Sequence, residues 1–424
     1  MKAKHMWWTG TAVVMAAAIA GTAALGVNIQ SAYNNLDHGS PYSQPTPATP
    51  LQVAQPGDVD LEALKARLDS QAKDPALATF GAQVIDTTSD EVVWERDAQR
   101  PLTPASSTKV LTLAAATLAL GEDERITTQV LQGEQEGTVV LRAAGDVWMT
   151  SEQLDDLATQ VGNAKRVVLD TSAWAGPQQA PGWDPENVDE GFVAPMQPAM
   201  LYGGRLGATT GDVPRSHTPA TDLAHALAKR LGTDKVEEGD APQAGVVLGE
   251  VHSAPLAERA QEAAKHSDNV MTEAIARELA TARGKEASFQ GATEATREVL
   301  EENDIDLNGV NIKDNSGLST ENRIPAAVLT RIMDIAATND ALRPLLGYLP
   351  LAGGEGTLYE RYGDSPARGY VRAKTGTLTG VSALAGTAQG QSGHVYAFAF
   401  LVNDGDILAA RKAQDALASV LHEF

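Results

Sequence analysis

Cysteine is absent from the 424 residues. That removes disulfides, thiolate zinc sites, iron–sulfur clusters and thiol nucleophiles together. Basic residues are short as well: 33 Lys and Arg stand against 55 Asp and Glu, a net charge of −22. Nucleic acid is excluded as a partner on that balance, because phosphate neutralisation needs clustered cations; such acidity ordinarily serves solubility. The eight histidines form no H-E-x-x-H zinc pair and flank no G-x-S-x-G elbow. Zinc hydrolysis and a Ser-His-Asp hydrolase both lose support, no cofactor is called for, and His266 and His394 read as surface or helix-end residues.

Charge is also missing near the N-terminus. After Lys2 and Lys4 no charged side chain appears until Asp37, and Met6–Val27 is apolar or small. Such a run is long enough to span a bilayer, as a signal peptide or an uncleaved anchor (residues 1–35). Its length favours an anchor, while its Ala and Gly content suits cleavage. Both place the remaining chain outside the cytoplasm, in the cell envelope or secreted, with membrane contact only through this segment. Five prolines between Leu36 and Asp60 mark an extended tether, residues 36–58.

What remains is ample for a sizeable core: 43% hydrophobic and 21% charged residues describe a folded chain. "FGAQVIDTTSDEVVWERD" reads as a β-hairpin, and a helix is predicted from about Ser106 to Leu120, ended by Gly121. From about Asp123 to Gly249 the texture changes to short strands and two helices, one opened by a Thr150…Gln153 capping box. Ala173–His217 reads as a long irregular loop. Helices dominate from Pro255, then three strands and a last helix close the chain. The predicted fold is α/β (α+β): residues 59–122 and 250–424 form one domain around an antiparallel sheet flanked by helices. Residues 123–249 form a smaller inserted α/β domain.

The stretch "TPASSTKVLTLAAA" carries the chemistry. A serine hydroxyl needs a base, and residues i and i+3 of a helix share a face, so Ser106 and Lys109 can meet. A desolvated lysine near another cation favours its neutral form, which accepts a proton. Ser-x-x-Lys alone is weak, since one or two matches are expected by chance at about this length. Indeed Ser70–Lys73 is a second match, in a charged, solvent-facing helix. Two further motifs change the odds: Ser267-Asp268-Asn269 opens an apolar helix, and Lys374-Thr375-Gly376 lies on a predicted strand. Singly, Ser267 is a helix cap and Lys374 an edge-strand lysine. In this order they supply a nucleophile, a base, a second polar group and a cationic anchor.

This set occurs in β-lactamases and penicillin-binding proteins. The chain resembles the class C low-molecular-mass penicillin-binding proteins, the D-alanyl-D-alanine carboxypeptidase/endopeptidase family, also through "APGWDPENVDEGFVAP", "DNSGLSTENRI" and "LPLAGGEGTLYERY". The resemblance implies a penicillin-recognising serine transpeptidase-like fold acting on peptidoglycan stem peptides, with β-lactams as covalent inhibitors. It implies that Ser106 attacks, Lys109 takes its proton, and Ser267 and Asn269 relay protons and orient the substrate amide. Lys374, Thr375, Gly376 and Thr377 then bind the terminal carboxylate, and the N–H groups of Ser106 and Thr377 form an oxyanion hole. The segment between the first two motifs is short for the family, so one of two inserted domains is expected to be lost or reduced. Where relatives carry an acidic residue for the stem-peptide diamino acid, this chain has Asn187, flanked by Glu186 and Asp189. Trp183 and Phe192 read equally as packing residues. A β-lactamase and a non-catalytic wall-binding protein are the rival expectations; against the first, no E-x-x-L-N loop is found.

Overall fold

The computed structural model describes residues 2–34, 56–242 and 245–424. Its contacts divide the chain into two units, residues 1–54 and 55–424. In the first, Lys2–Asn34 is one helix, of which Ala12–Tyr33 is long and apolar enough to cross a membrane. Most of the expected tether, residues 36–55, lies outside the described residues.

The second unit is built on a five-stranded sheet in the order Val371–Leu378, Val381–Gln389, Val395–Asn403, Thr79–Asp86, Glu91–Arg96. Every neighbouring pair is antiparallel. Strands from both ends of the chain therefore share one sheet, as the hairpin and the C-terminal apolar runs anticipate. Both faces are covered. Val395–Asn403 alternates inward residues between two cores: Phe398, Phe400 and Val402 join Leu64, Leu68 and Leu417, whereas Ala397, Ala399 and Leu401 join Val110, Leu111 and Ile332. Small residues on the second face let the helix Ala326–Thr338 lie close against the sheet. At Gly386 any Cβ would collide with the backbone of Arg372 and Ala373 on the adjoining strand.

A second five-stranded sheet contains Val247–His252, Thr127–Gln132, Thr138–Arg142, Arg166–Asp170 and Val236–Glu238 in that order. Its first pairings are antiparallel and its last two parallel. The helices Ser151–Val161 and Pro219–Arg230 bury Leu154, Leu157, Leu223 and Leu227 against it in a separate core. The capping box is formed: Gln153 N donates to Thr150 Oγ1 at 3.3 Å, and Thr150 N to Gln153 Oε1 at 2.8 Å. Pro219 stands in the first turn of its helix.

Two local expectations need correction. The helix predicted from Ser106 begins as a 3-10 turn, Ala105–Thr108, and becomes α-helical only over Lys109–Ala119. His394 is not a surface residue: its imidazole is tucked against the sheet, Nδ1 2.9 Å from Asp86 Oδ2, with the side chain 13% exposed. His266 does cap a helix end in the open.

Candidate active site

Pro104 leads the chain into the 3-10 turn, and Ala105 adopts φ +47°, the left-handed region that a side chain ordinarily avoids. A 3-10 turn has three residues per turn, so positions i and i+3 eclipse. Lys109 is thus stacked over Ser106, and its Nζ donates to Ser106 Oγ at 3.1 Å. Ser106 is half-buried, while Lys109 is fully buried.

Three groups converge on the Lys109 ammonium. Besides Ser106 it donates to Asn269 Oδ1 at 2.6 Å and to the Ser316 carbonyl at 2.7 Å. Among the described residues no carboxylate lies within hydrogen-bonding distance of it. Burial therefore pulls its pKa down to about 8, against the opposing pull of Asp314, Asp268 and Glu273 at longer range. An amine with that value has an appreciable neutral fraction near neutrality and can accept the proton of Ser106.

The helix Asn269–Ala282 begins at this point because Asp268 caps it, accepting from Met271 N at 2.7 Å. Asp268 is itself buried between two arginines, Arg205 at 2.9 Å and Arg215 at 3.4 Å. Burial alone would raise its pKa, yet Arg215 and Arg205 hold it below the ordinary carboxylate value. Ser267 precedes it with φ +57°, a conformation that turns the hydroxyl toward Lys374. Lys374 Nζ donates to Ser267 Oγ at 3.0 Å and to the Thr375 carbonyl at 2.8 Å. Asn269 Nδ2 donates to the Phe192 carbonyl at 2.9 Å, tying "FVAP" to the site.

The strand Val371–Leu378 passes directly against the turn that carries Ser106. A Cβ at Gly376 would meet the Pro104 carbonyl and lie 3.1 Å from Ser106 N, so only glycine allows this approach. Lys374 is fully buried, and its pKa lies well below that of an ordinary lysine, because of burial first and the nearby Lys109 second. Thr375 Oγ1 donates to Thr357 Oγ1 at 2.8 Å, and Thr377 Oγ1 accepts from Arg411 at 2.8 Å. All eight site residues expected from the sequence thus lie in one connected region, Gly376 by backbone contact.

Of the residues flagged for side-chain recognition, Asp189 pairs with His217 at 2.9 Å, while Asn187 accepts from Phe192 N at 2.9 Å through its backbone carbonyl. Trp183 is a packing residue: it meets Phe289 edge-on and donates to Asp314 at 2.7 Å. Phe192 instead stands 41% exposed.

Sequence reasoning passed over Glu273, Asp314 and Ser316, which surround Lys109 from behind. The signal was present: "DNSGLS" packs turn formers between apolar residues, and Glu273 and Arg277 are charges in the middle of an apolar helix. Thr357 and Arg411 had no comparable signal.

The sequence matches the D-Ala-D-Ala carboxypeptidase 3 (S13) family over residues 64–215 and 207–424. It is 42% identical to carboxypeptidase DacB of Mycolicibacterium smegmatis over 410 residues, covering 88% of this chain and 89% of that protein. It is 41% identical to a carboxypeptidase of Mycobacterium tuberculosis, covering 84% of this chain and 83% of that one. The fold is similar to the crystal structure of penicillin binding protein 4 from Haemophilus influenzae, with a TM-score of 0.71 at 23% identity over 85% of this chain and 98% of that one. By extent of match and by identity, the chain is a member of the D-Ala-D-Ala carboxypeptidase (S13) family.

Proposed function

We propose that this chain is a serine DD-peptidase of the cell envelope, cleaving next to D-Ala in peptidoglycan stem peptides through an acyl-enzyme on Ser106. The observation that carries it is the 3.1 Å contact between Lys109 Nζ and Ser106 Oγ, made by a lysine that burial lowers to about 8 despite Asp314, Asp268 and Glu273.

Neutral Lys109 takes the Ser106 proton as Oγ attacks the carbonyl of the penultimate D-Ala. The backbone N–H groups of Ser106 and Thr377 receive the oxyanion. Ser267, hydrogen-bonded to Lys374, relays the proton held by Lys109 to the departing amine as the C–N bond breaks, so both groups are restored, and Asn269 orients the substrate amide. Water then hydrolyses the ester and regenerates Ser106. Thr375, Thr377 and Lys374 hold the terminal carboxylate. β-Lactams, which carry a carboxylate beside a strained amide, acylate the same serine.

The same proposal extends to location and division of the chain. Residues 1–35 direct it through or into a membrane, on the strength of the apolar helix Ala12–Tyr33, and residues 36–58 act as a tether. Residues 59–122 and 250–424 form the peptidase domain and 123–249 the insertion; the separate sheets support the division, with the strand Val247–His252 of the second sheet crossing its C-terminal boundary. Muropeptide digestion followed by mass spectrometry tests the activity: loss of one D-Ala marks a carboxypeptidase, splitting of cross-linked dimers an endopeptidase. Neither product from intact enzyme, with Ser106 unlabelled by penicillin, would overturn the proposal.

A further inference from the structure

Behind Lys109 lies a buried carboxylate that touches neither the nucleophile nor the cleft. Glu273 sits four residues after Asn269 on the same helix, so both point toward the base lysine. Asn269 reaches Lys109 directly, at 2.6 Å. Glu273 is one layer further back and fully buried. Its Oε1 accepts two consecutive backbone N–H groups, from Asn315 at 2.8 Å and Ser316 at 2.7 Å. The carbonyl of that same Ser316 takes the Lys109 proton donor at 2.7 Å. The peptide unit bearing this carbonyl is pinned at its other end as well, because Gly317 N donates to Asp314 Oδ1 at 2.9 Å. Gly317 has φ +82°, and a Cβ there would collide with the Ala105 carbonyl, next to the nucleophile.

We propose that Glu273 is a positioning residue for the base: by gripping the 315–316 backbone it aims the Ser316 carbonyl at Lys109, and through it fixes where the amine sits relative to Ser106. This deepens the peptidase reading and rests on it. The groups that face Glu273 are Arg277 on its own helix, Asp314 on the loop and Lys109 on the nucleophile helix. Arg277 Nη1 lies 3.4 Å from Glu273 Oε2, and its guanidinium is stacked against Trp174 and Phe289. Lys109 also feels Asp314 and Asp268, and it lies close to Lys374. Burial, with Asp314 beside it, raises the Glu273 pKa to about 7 against Arg277 and the two amides; above that value its charge helps to keep a proton on Lys109.

The test is the pH profile of acylation by a fluorescent penicillin, measured with Glu273→Gln and Glu273→Ala in the whole chain. Glutamine keeps an acceptor for both amides but no charge. With it the plateau rate stays within a few-fold of wild type, while the acid limb moves to lower pH by a few tenths of a unit to about one unit. Alanine frees the loop and lowers the plateau by about tenfold or more, the scale of one lost hydrogen bond in the transition state. A purely structural role would move the melting temperature and leave the limb where it was. A folded Glu273→Ala variant with a wild-type plateau overturns the proposal, and a Glu273→Gln plateau lowered about tenfold overturns it even if the alanine variant does not fold. Failure of wild-type Ser106 to be labelled at any pH overturns the peptidase reading instead, a separate result.

Discussion

The chain contains Ser-x-x-Lys twice, and the two copies share nothing but their letters. Ser70 lies in the last turn of the α-helix Leu61–Gln71 and Lys73 lies beyond its cap, both exposed. The neighbouring Asp69 is occupied by Trp94 Nε1 at 2.8 Å. That helix is fixed by Leu64 and Leu68 on its other face. Ser106 and Lys109 instead span a 3-10 turn, with the lysine in the dry interior and a backbone carbonyl, an amide oxygen and the serine as its hydrogen-bond partners. In water a lysine keeps its proton well past neutrality; removed from water without a counter-ion it does not. Reactivity here is a property of the surroundings, which the motif only permits.

The contrast can be broken most sharply at the serines. Ser106→Ala is expected to abolish labelling by fluorescent penicillin, whereas Ser70→Ala labels as wild type; gel fluorescence after a fixed incubation decides, and a labelled Ser106→Ala would end the assignment. Next come the lysines. Lys109→Ala should slow acylation by about 10²–10⁴-fold, the usual contribution of a general base, and Lys73→Ala should leave stopped-flow rates unchanged. The pH dependence follows in size. Because Lys109 is lowered to about 8 by burial and the neutral amine is the active form, the acylation rate should climb tenfold per unit below that value and level off above it. A flat profile from pH 6 to 10 would contradict a lysine base. Smallest is the effect on the fold: a Ser70→Ala/Lys73→Ala double variant should change unfolding free energy by less than about 0.5 kcal/mol in urea titration.

Much of this was legible before any coordinates. Alternating apolar runs such as "HVYAFAFLVN" announce strands, and Thr150…Gln153 announces a helix start, because each signal acts within a few residues. The chemical groups were legible through their types and order. What stayed hidden depends on chain packing over long separations. Glu273 acts on the backbone of residues 315 and 316, and no local pattern in its helix reveals an acceptor for a distant loop. The 3-10 entry to the nucleophile helix escaped because its sequence is equally compatible with an α-helical turn. His394 looked like a surface residue because Asp86, its partner, lies on another strand.

Ala105 and Ser267 each hold a torsion that L-amino acids resist, at a cost of about 1–3 kcal/mol apiece. One adjoins Ser106 and the other faces Lys374. Glycine at either place would relax the torsion, but it would also give the unfolded and half-folded chain more shapes to visit. The protein retains side chains there, and so the turn before Ser106 and the entry to the Asn269 helix are held cocked like springs by the packing around them.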